Sequence, residues 1–458
     1  MVFSSPVFLF AFLPLVFLLE RLCPSLRLKN AVLAGASLVF YAFGQLVFLP
    51  LFLGSVLLNY LAGLGLMRLQ KGRRALLALA VVLNLLLLGV FKYGDFLLQN
   101  LGQQPLGILL PIGISFFTFQ GMSYVIDVYR EPESGTADFG KLLLYLAFFP
   151  QLIAGPIVKY HDIADQIDHR QTDPVTTEEG LRRFIRGLGK KLLIADVVGK
   201  IADAVFTGGT ADLRLAWLAA LCYTLQIYYD FSAYSDMAIG MGHMFGFTLR
   251  ENFLHPYAAL SIRDFWRRWH VSLSSWFKEY LYIPLGGNRR GKLRTALNRL
   301  LVFLCTGFWH GANWTFVVWG LGHGLLSSLE GALPLPKLQD KPLGRLLGRI
   351  YTLLAVMLLF VVFRAESLSA AGEMLGAMFA GSFTAAGSVE LIRLLQPSAL
   401  LALGLAILFA GGLRERLYAR LRAPVFRHLA RTGSLVLLFL CILSLSTGGF
   451  HPFLYFQF

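Results

Sequence analysis

The chain has 458 residues, of which 56% are hydrophobic and only 15% charged, and its mean hydropathy is +0.64. Soluble domains carry about 25% charged residues, so a soluble globular fold is excluded and an integral membrane protein is expected. The net charge of +15 comes without a nucleic-acid-binding motif. Because Lys and Arg gather in the cytoplasmic loops of membrane proteins, the charge is read as an orientation signal and not as a nucleic-acid surface.

The first apolar run starts at Val2, with no basic segment before it and no small-residue cleavage site before Glu20 and Arg21. It is expected to be a retained first span and not a removable signal peptide. Further runs at Ala31–Phe43, Val47–Met67 and Ala75–Phe91 approach or reach the roughly 20 apolar residues that cross a hydrocarbon core. Strand-like alternation is absent, and a helix satisfies its own backbone in lipid, so the expected fold is all-α and polytopic. Arg21, Arg27 and Lys29 form one basic loop, and Arg68, Lys71, Arg73 and Arg74 form another, whereas Phe43–Pro50 carries no charge. The excess of positive charge places these two loops in the cytoplasm, and the N-terminus and Lys92–Gln104 outside.

From Asp127 onward the pattern weakens. Asp127–Asp138 and Asp162–Glu179 are mildly acidic, and the apolar runs between them are short and carry Pro and Gly, as in re-entrant or half-spanning helices buried within protein. Basic clusters return at Arg182–Lys191, Arg289–Arg299, Lys337–Arg349 and Arg414–Arg431, and each is expected in the cytoplasm. Apolar spans resume at Leu346–Phe363, Leu400–Ala410 and Ser434–Ser446, and the terminal FHPFLYFQF reads as an interfacial aromatic anchor. No internal repeat or low-complexity tract occurs. A single membrane domain over 1–458 is expected, with N-terminal spans in 1–105, a motif-bearing core in 106–335 and C-terminal spans in 336–458. Cys23, Cys222, Cys305 and Cys441 are far apart and lack CxxC pairing, so neither a disulfide framework nor a metal site is expected.

The sharpest feature is VFLCTGFWHGANWTFVVWG, residues 302–320, which places His310 inside an otherwise nearly uncharged apolar stretch. An ionisable group at bilayer depth is a functional-site hypothesis by default. If the helix continues, Asn313 and Trp314 share its face, while Gly307 and Gly311 offer a small-residue face to another backbone or a ligand. His323, thirteen positions on, is a second buried candidate. Upstream, Ser261–Arg299 holds nine Lys or Arg against two Asp or Glu. There Trp266, Trp269 and Trp276, with Leu273 and Phe277, recur at helical spacing, as in an interfacial helix with snorkelling cations. That reading leaves His270 unexplained, followed as it is by Ser272, Ser274 and Ser275. His161, His169, His255, His428 and His451 lie near loops or span ends and read as merely polar. No GxGxxG, P-loop, GxSxG, HExxH or HxxxxD motif is present, which removes support from nucleotide-dependent, hydrolase and zinc-protease readings.

LLPIGISFFTFQGMSYVIDVYR (109–130), FFPQLIAGPIVKYHD (148–162), DFWRRWHVSLSSWFKEYLYIPLGGNR (264–289), TGFWHGANWTFVVWGLGHG (306–324) and the terminal PFLYFQF resemble the membrane-bound O-acyltransferase superfamily. More narrowly they are similar to its bacterial alginate O-acetylation branch, which is related to the D-alanyl transfer protein of teichoic acids. The resemblance implies a ring of transmembrane helices with short or re-entrant helices around a thinned core, where a cytoplasmic tunnel meets an outer funnel. It makes His310 the catalytic residue and His270 its second polar group. The same strings carry the supporting candidates Trp309, Asn313, His323, Arg267 and Arg289.

The resemblance further implies a multi-pass protein of the bacterial inner membrane. An acetyl group would pass from a cytoplasmic thioester donor such as acetyl-CoA, with no bound cofactor, to the outer side. There an SGNH-type periplasmic or extracellular partner transferase would esterify an alginate-like polysaccharide. Such chemistry needs a base for the acceptor hydroxyl and donors for the oxyanion. Burial keeps His310 a neutral imidazole able to act as that base, with Asn313 or His270 orienting it or polarising the carbonyl. Arg289–Arg294 would attract the anionic donor or serve only as topology determinants. D-alanyl transfer is the nearest alternative. A transporter is the alternative of a different class, although the two matching halves it favours are absent.

Overall fold

The computed structural model describes all residues except 154, 334–338, 414–423, 448–451 and 455–458, and the side chains of 424–428. His451, the side chain of His428, part of the basic clusters at 337–349 and 414–431, and all of the terminal aromatic run but Pro452–Leu454 therefore lie outside the described residues. Within them the chain is helical and has no strand, with one isolated bridge between Asp212 and Ser382.

Among the described residues, four helical stretches are long and apolar enough to cross a membrane: Leu26–Arg68, Arg73–Asn100, Pro342–Arg364 and Leu429–Ser446. The pair Ala385–Leu394 and Pro397–Ala410, bent by 78°, makes a fifth if taken as one span. The first is broken at Gln45 (φ −154°, ψ 78°) and at the short turn Leu46–Phe48. After residue 130 the elements shorten as expected, to Phe139–Ala147, Phe149–Leu152 and Tyr160–His169. All four cysteines are free.

The chain divides into two compact units. One comprises Met1–Ile185 and Tyr234–Glu251. Its helices Leu49–Arg68 and Arg73–Leu88 are tied by reciprocal amide hydrogen bonds between the buried Asn59 and Asn84 (3.2 and 3.0 Å). In an apolar interior each amide would be costly unpaired, and the pair satisfies both. Helix Ile114–Arg130 lies against these two, and a Cβ on its Gly121 would sit 2.5 Å from the Asn59 amide.

The other unit comprises Arg186–Ala233 and Asn252–Phe458. Its central pair is Lys292–His310 and Trp314–Glu330, which cross at glycines. A Cβ on Gly307 would meet the Phe316 carbonyl oxygen at 2.3 Å, and one on Gly320 the Phe303 carbonyl oxygen at 2.4 Å. The small-residue face expected around His310 thus receives another backbone. Pro342–Arg364 packs on Trp314–Glu330, and Tyr223, Tyr229, Trp266, Trp269, Trp319, Phe360 and Phe363 build an aromatic core between the elements.

One expectation fails in this unit. The stretch after Ser261 is not one interfacial helix but two short ones, Ile262–Arg268 and Val271–Phe277, broken at His270. Trp266, Trp269 and Trp276 are all buried. The helical spacing was real, but these indoles pack inward instead of floating at a lipid boundary. The last residue of the basic cluster Arg182–Lys191 is buried inside the π-helical turn Lys190–Ala195.

Candidate active site

His310 is the last residue of helix Lys292–His310, which Gly311 terminates in extended conformation (φ −176°). Only glycine fits at 311, since a Cβ there would lie 2.2 Å from the Phe316 ring. The imidazole is 7% exposed and stands edge to face with three aromatic rings: Trp309 and Trp319 at 5.1 Å and Phe363 at 5.2 Å. It lines a small cavity whose walls come from Ile227, Asp230, Phe231, Trp269, Trp319, Phe360, Phe363 and Leu454. Apolar walls with a few convergent polar groups are the usual form of a small-ligand site.

His270 holds its place through an unusual backbone. It and His255 are the non-glycine residues with positive φ among those described, and His270 has φ 45° and ψ 54°. This left-handed conformation turns the chain between the two short helices and sends the side chain into a fully buried position. Strained backbone of this kind is found at functional sites more often than elsewhere. Asn252 fixes the ring. Its Oδ1 accepts from the Ser272 backbone N–H at 3.2 Å and from the Ser272 hydroxyl at 2.9 Å, so the oxygen faces the cluster, and His270 Nδ1 lies 3.2 Å away. Nδ1 must therefore donate. A neutral His270 then carries its lone pair on Nε2, which has no hydrogen-bond partner among the described residues. It can accept a proton or a hydrogen bond there but cannot polarise a carbonyl.

The two histidines share neighbours. The Trp309 indole stands edge to face with both, 5.7 Å from His270 and 5.1 Å from His310. Phe231, on the cavity wall, stands 4.7 Å from His270. His323 is buried beside the cavity and does not line it. It accepts from Trp266 Nε1 at 3.2 Å through Nδ1 and stacks on Phe265, which assigns its proton to Nε2.

Asn313 is placed differently from the helical spacing expected. The helix has ended, and Asn313 caps the next one: its Oδ1 accepts from Thr315 N–H at 3.1 Å and its Nδ2 donates to the Glu366 carbonyl at 2.8 Å. Its amide is committed to joining elements. Arg267 and Arg289 are exposed, and neither lines the cavity. The membrane-bound O-acyltransferase family model matches residues 45–335, which contain both histidines and most of the cavity wall. The chain belongs to the membrane-bound O-acyltransferase family.

As a member of that family it is an acyltransferase. It is 41% identical over 504 residues to the probable alginate O-acetylase of Azotobacter vinelandii, with both chains covered in full. It is also 39% identical over 419 residues to a peptidoglycan O-acetyltransferase of Helicobacter pylori, covering 82% of this chain and 80% of that one. A teichoic acid D-alanyltransferase of Bacillus subtilis matches at 27% over 259 residues, covering 54% and 66%.

Sequence reasoning overlooked three residues beside this acyltransferase cavity. Asn252 sits in RENFLHP and looks like an ordinary loop amide. Asp230 lies on the cavity wall and pairs with Lys191 at 2.7 Å. The available signal was Asp230 in the apolar, aromatic run LQIYYDFSAY, since a carboxylate there requires a partner.

Proposed function

We propose that this acyltransferase moves an acetyl group from a thioester donor to a hydroxyl, with His310 as general base, in the service of O-acetylation of a cell-envelope polysaccharide. The observation that carries the reading is the placement of His310, a buried imidazole at a helix end that opens on an apolar, aromatic-walled cavity. His310 takes the proton of the acceptor O–H, and the oxygen attacks the thioester carbonyl. That attack forms the ester C–O bond; the tetrahedral intermediate then collapses, restoring the C=O bond and breaking the C–S bond, and the imidazolium returns its proton to the leaving thiolate. His270, with Nδ1–H committed to Asn252, presents Nε2 as an acceptor. Of the two roles expected for His270, orienting the base or polarising the carbonyl, this ring state favours the first.

Acetyl rather than D-alanyl is favoured by the full-length match to an alginate O-acetylase against the partial match to the D-alanyltransferase. The same likeness supports an alginate-like polymer as acceptor, acetyl-CoA as cytoplasmic donor and an SGNH-type partner on the outer side. The basic loops Arg21–Lys29 and Arg68–Arg74 support a bacterial inner-membrane orientation with the N-terminus outside.

Reconstituted protein, supplied with radiolabelled acetyl-CoA on one side and the partner with polymer on the other, tests the reading. Label in the polymer, lost with His310→Ala at equal protein level, is the expected result. Label transfer undiminished by His310→Ala would overturn it, and passage of intact donor without thioester cleavage would turn the reading toward a transporter.

A further inference from the structure

Beside the cavity lies a buried charge cluster that the reaction above does not use. Lys191 Nζ is 2.7 Å from Asp196 Oδ1 and 2.7 Å from Asp230 Oδ1, and it donates to the Pro452 carbonyl at 3.1 Å. Those three acceptors match the three N–H bonds of an ammonium. The side chains are 2%, 9% and 3% exposed. Asp230 uses its other oxygen, Oδ2, to accept from the Leu454 backbone N–H at 2.8 Å. Between these two tethers the Phe453 ring lies under the Lys191 ammonium, 4.7 Å from its centroid.

The cluster thus holds three consecutive residues near the C-terminus by a carbonyl, a ring and an N–H. These contacts join parts of the chain more than 220 residues apart. The held segment is also a wall of the site, because Leu454 and Asp230 line the cavity together with His310. Lys191 belongs to a π-helical turn, Lys190–Ala195, a local irregularity frequent at functional sites. A buried ion cluster is weak support for stability, since apolar replacements often do as well. One that clamps a chain terminus against a cavity has a positional use that apolar residues cannot supply.

We infer that Lys191, Asp196 and Asp230 are positioning residues for acyl transfer, which clamp Pro452–Leu454 so that the C-terminal segment closes the cavity into which His310 opens. This rests on the acyl-transfer reading for its activity arm only. Misplacement of a site wall by about 1 Å is enough to lower a rate by two orders of magnitude.

The test uses the full chain in proteoliposomes, with its four native cysteines replaced by alanine and Leu454→Cys as reporter. With Lys191→Met the introduced thiol reacts with a small membrane-permeant maleimide at least about ten-fold faster than with Lys191 in place. In the otherwise native chain, Lys191→Met lowers acetyl transfer at least about ten-fold, and Lys191→Arg restores part of it. Leu454→Pro deletes the N–H that Asp230 accepts while leaving the charge cluster intact, and it loses more transfer than Leu454→Ala, which keeps the N–H.

Parental transfer by Lys191→Met at equal membrane level overturns the assignment, as does a thiol that stays protected when transfer is lost. If Lys191→Met fails to accumulate, Leu454→Pro decides alone, and a loss no greater than that of Leu454→Ala overturns it. Should the unaltered chain itself fail to consume acetyl-CoA, the acyl-transfer reading falls while the thiol measurement still reports on the clamp.

Discussion

At the scale of single residues, the two buried histidines make different demands on a substitution. His310→Ala removes a base and leaves the surrounding aromatic packing with a small void, so acetyl transfer falls by about 10²–10⁴-fold while membrane level holds. This is checked by quantifying acetyl ester against immunoblotted protein. His270 must satisfy both a chemical and a backbone requirement, because its φ of 45° suits few residues. Asparagine tolerates the left-handed region, so His270→Asn keeps the turn and loses Nε2. If Nε2 matters, this variant accumulates normally and still loses transfer; activity equal to the parent would reduce His270 to a turn residue. Asn252→Ala leaves His270 Nδ1 without its acceptor, and the pH profile of transfer shifts while the donor KM stays nearly constant. A wholly structural Asn252 would leave that profile where it was.

The burial of His310 was legible in the sequence because a titratable residue in nineteen nearly uncharged positions has few ways to be accommodated. The ring state of His270 was not, since it depends on an amide eighteen residues upstream that only the folded chain brings to 3.2 Å. Lys191 was misread for a related reason. Charge counting treats every Lys as a loop marker, whereas this one is enclosed by two carboxylates, Asp196 just after its own turn and Asp230 from a separate helix.

At the scale of elements, the crossing of Lys292–His310 with Trp314–Glu330 holds His310 in register. Each helix gives a glycine to the other's carbonyl oxygens, at 2.3 and 2.4 Å from a built Cβ. Gly320→Val therefore forces the helices apart at a cost of about 1–3 kcal/mol. The unfolding midpoint in detergent drops, and transfer drops with it; an unchanged midpoint would mean that the crossing yields without strain.

A second element contact carries a pH dependence. His161, on Tyr160–His169, lies 3.1 Å from Asp127 on Ile114–Arg130, and this hydrogen bond raises the imidazole pKa above its ordinary value. Folding thus favours the protonated ring. The stabilisation is fully present below about pH 6.5 and is lost as pH rises through the raised folded value. His161 is 44% exposed, so the effect is small. The unfolding midpoint falls across that window in the parent and is flatter in His161→Gln.

The helices that sequence periodicity located well were the long apolar ones, where composition alone decides. Ile262–Arg268 and Val271–Phe277 were merged because the Trp spacing fits one continuous helix, and nothing in the string RRWHVS announces a left-handed residue at its centre. Asn313 was assigned to the face of His310 for the same reason. Its role as a cap became visible only once Gly311 was seen to end the helix.

For the whole molecule, the proposed orientation rests on charge. Thiols introduced by Ser25→Cys and Lys71→Cys are expected to react only with reagents that cross the membrane, and one introduced by Gln103→Cys with impermeant reagents added outside. Reversal of both patterns would invert the side from which the donor is drawn. The family and its general architecture were legible because the motif strings between residues 109 and 324 are dense and ordered. Division into two compact units, with Tyr234–Glu251 returning to the first, was not, because one helix, Leu213–Met244, serves both without any break in its hydropathy.

The position of His310 at the very end of a 19-residue helix has an electrical meaning. The carbonyl groups of a helix's last turn lack intrahelical donors, and the aligned peptide dipoles give that end a partial negative charge of about one half. In the proposed reaction the imidazole takes up the acceptor's proton, and the new cation would form beside that negative pole, among aromatic rings that screen little. The helix would then act as a built-in counterion for a charge that exists only while the reaction is under way.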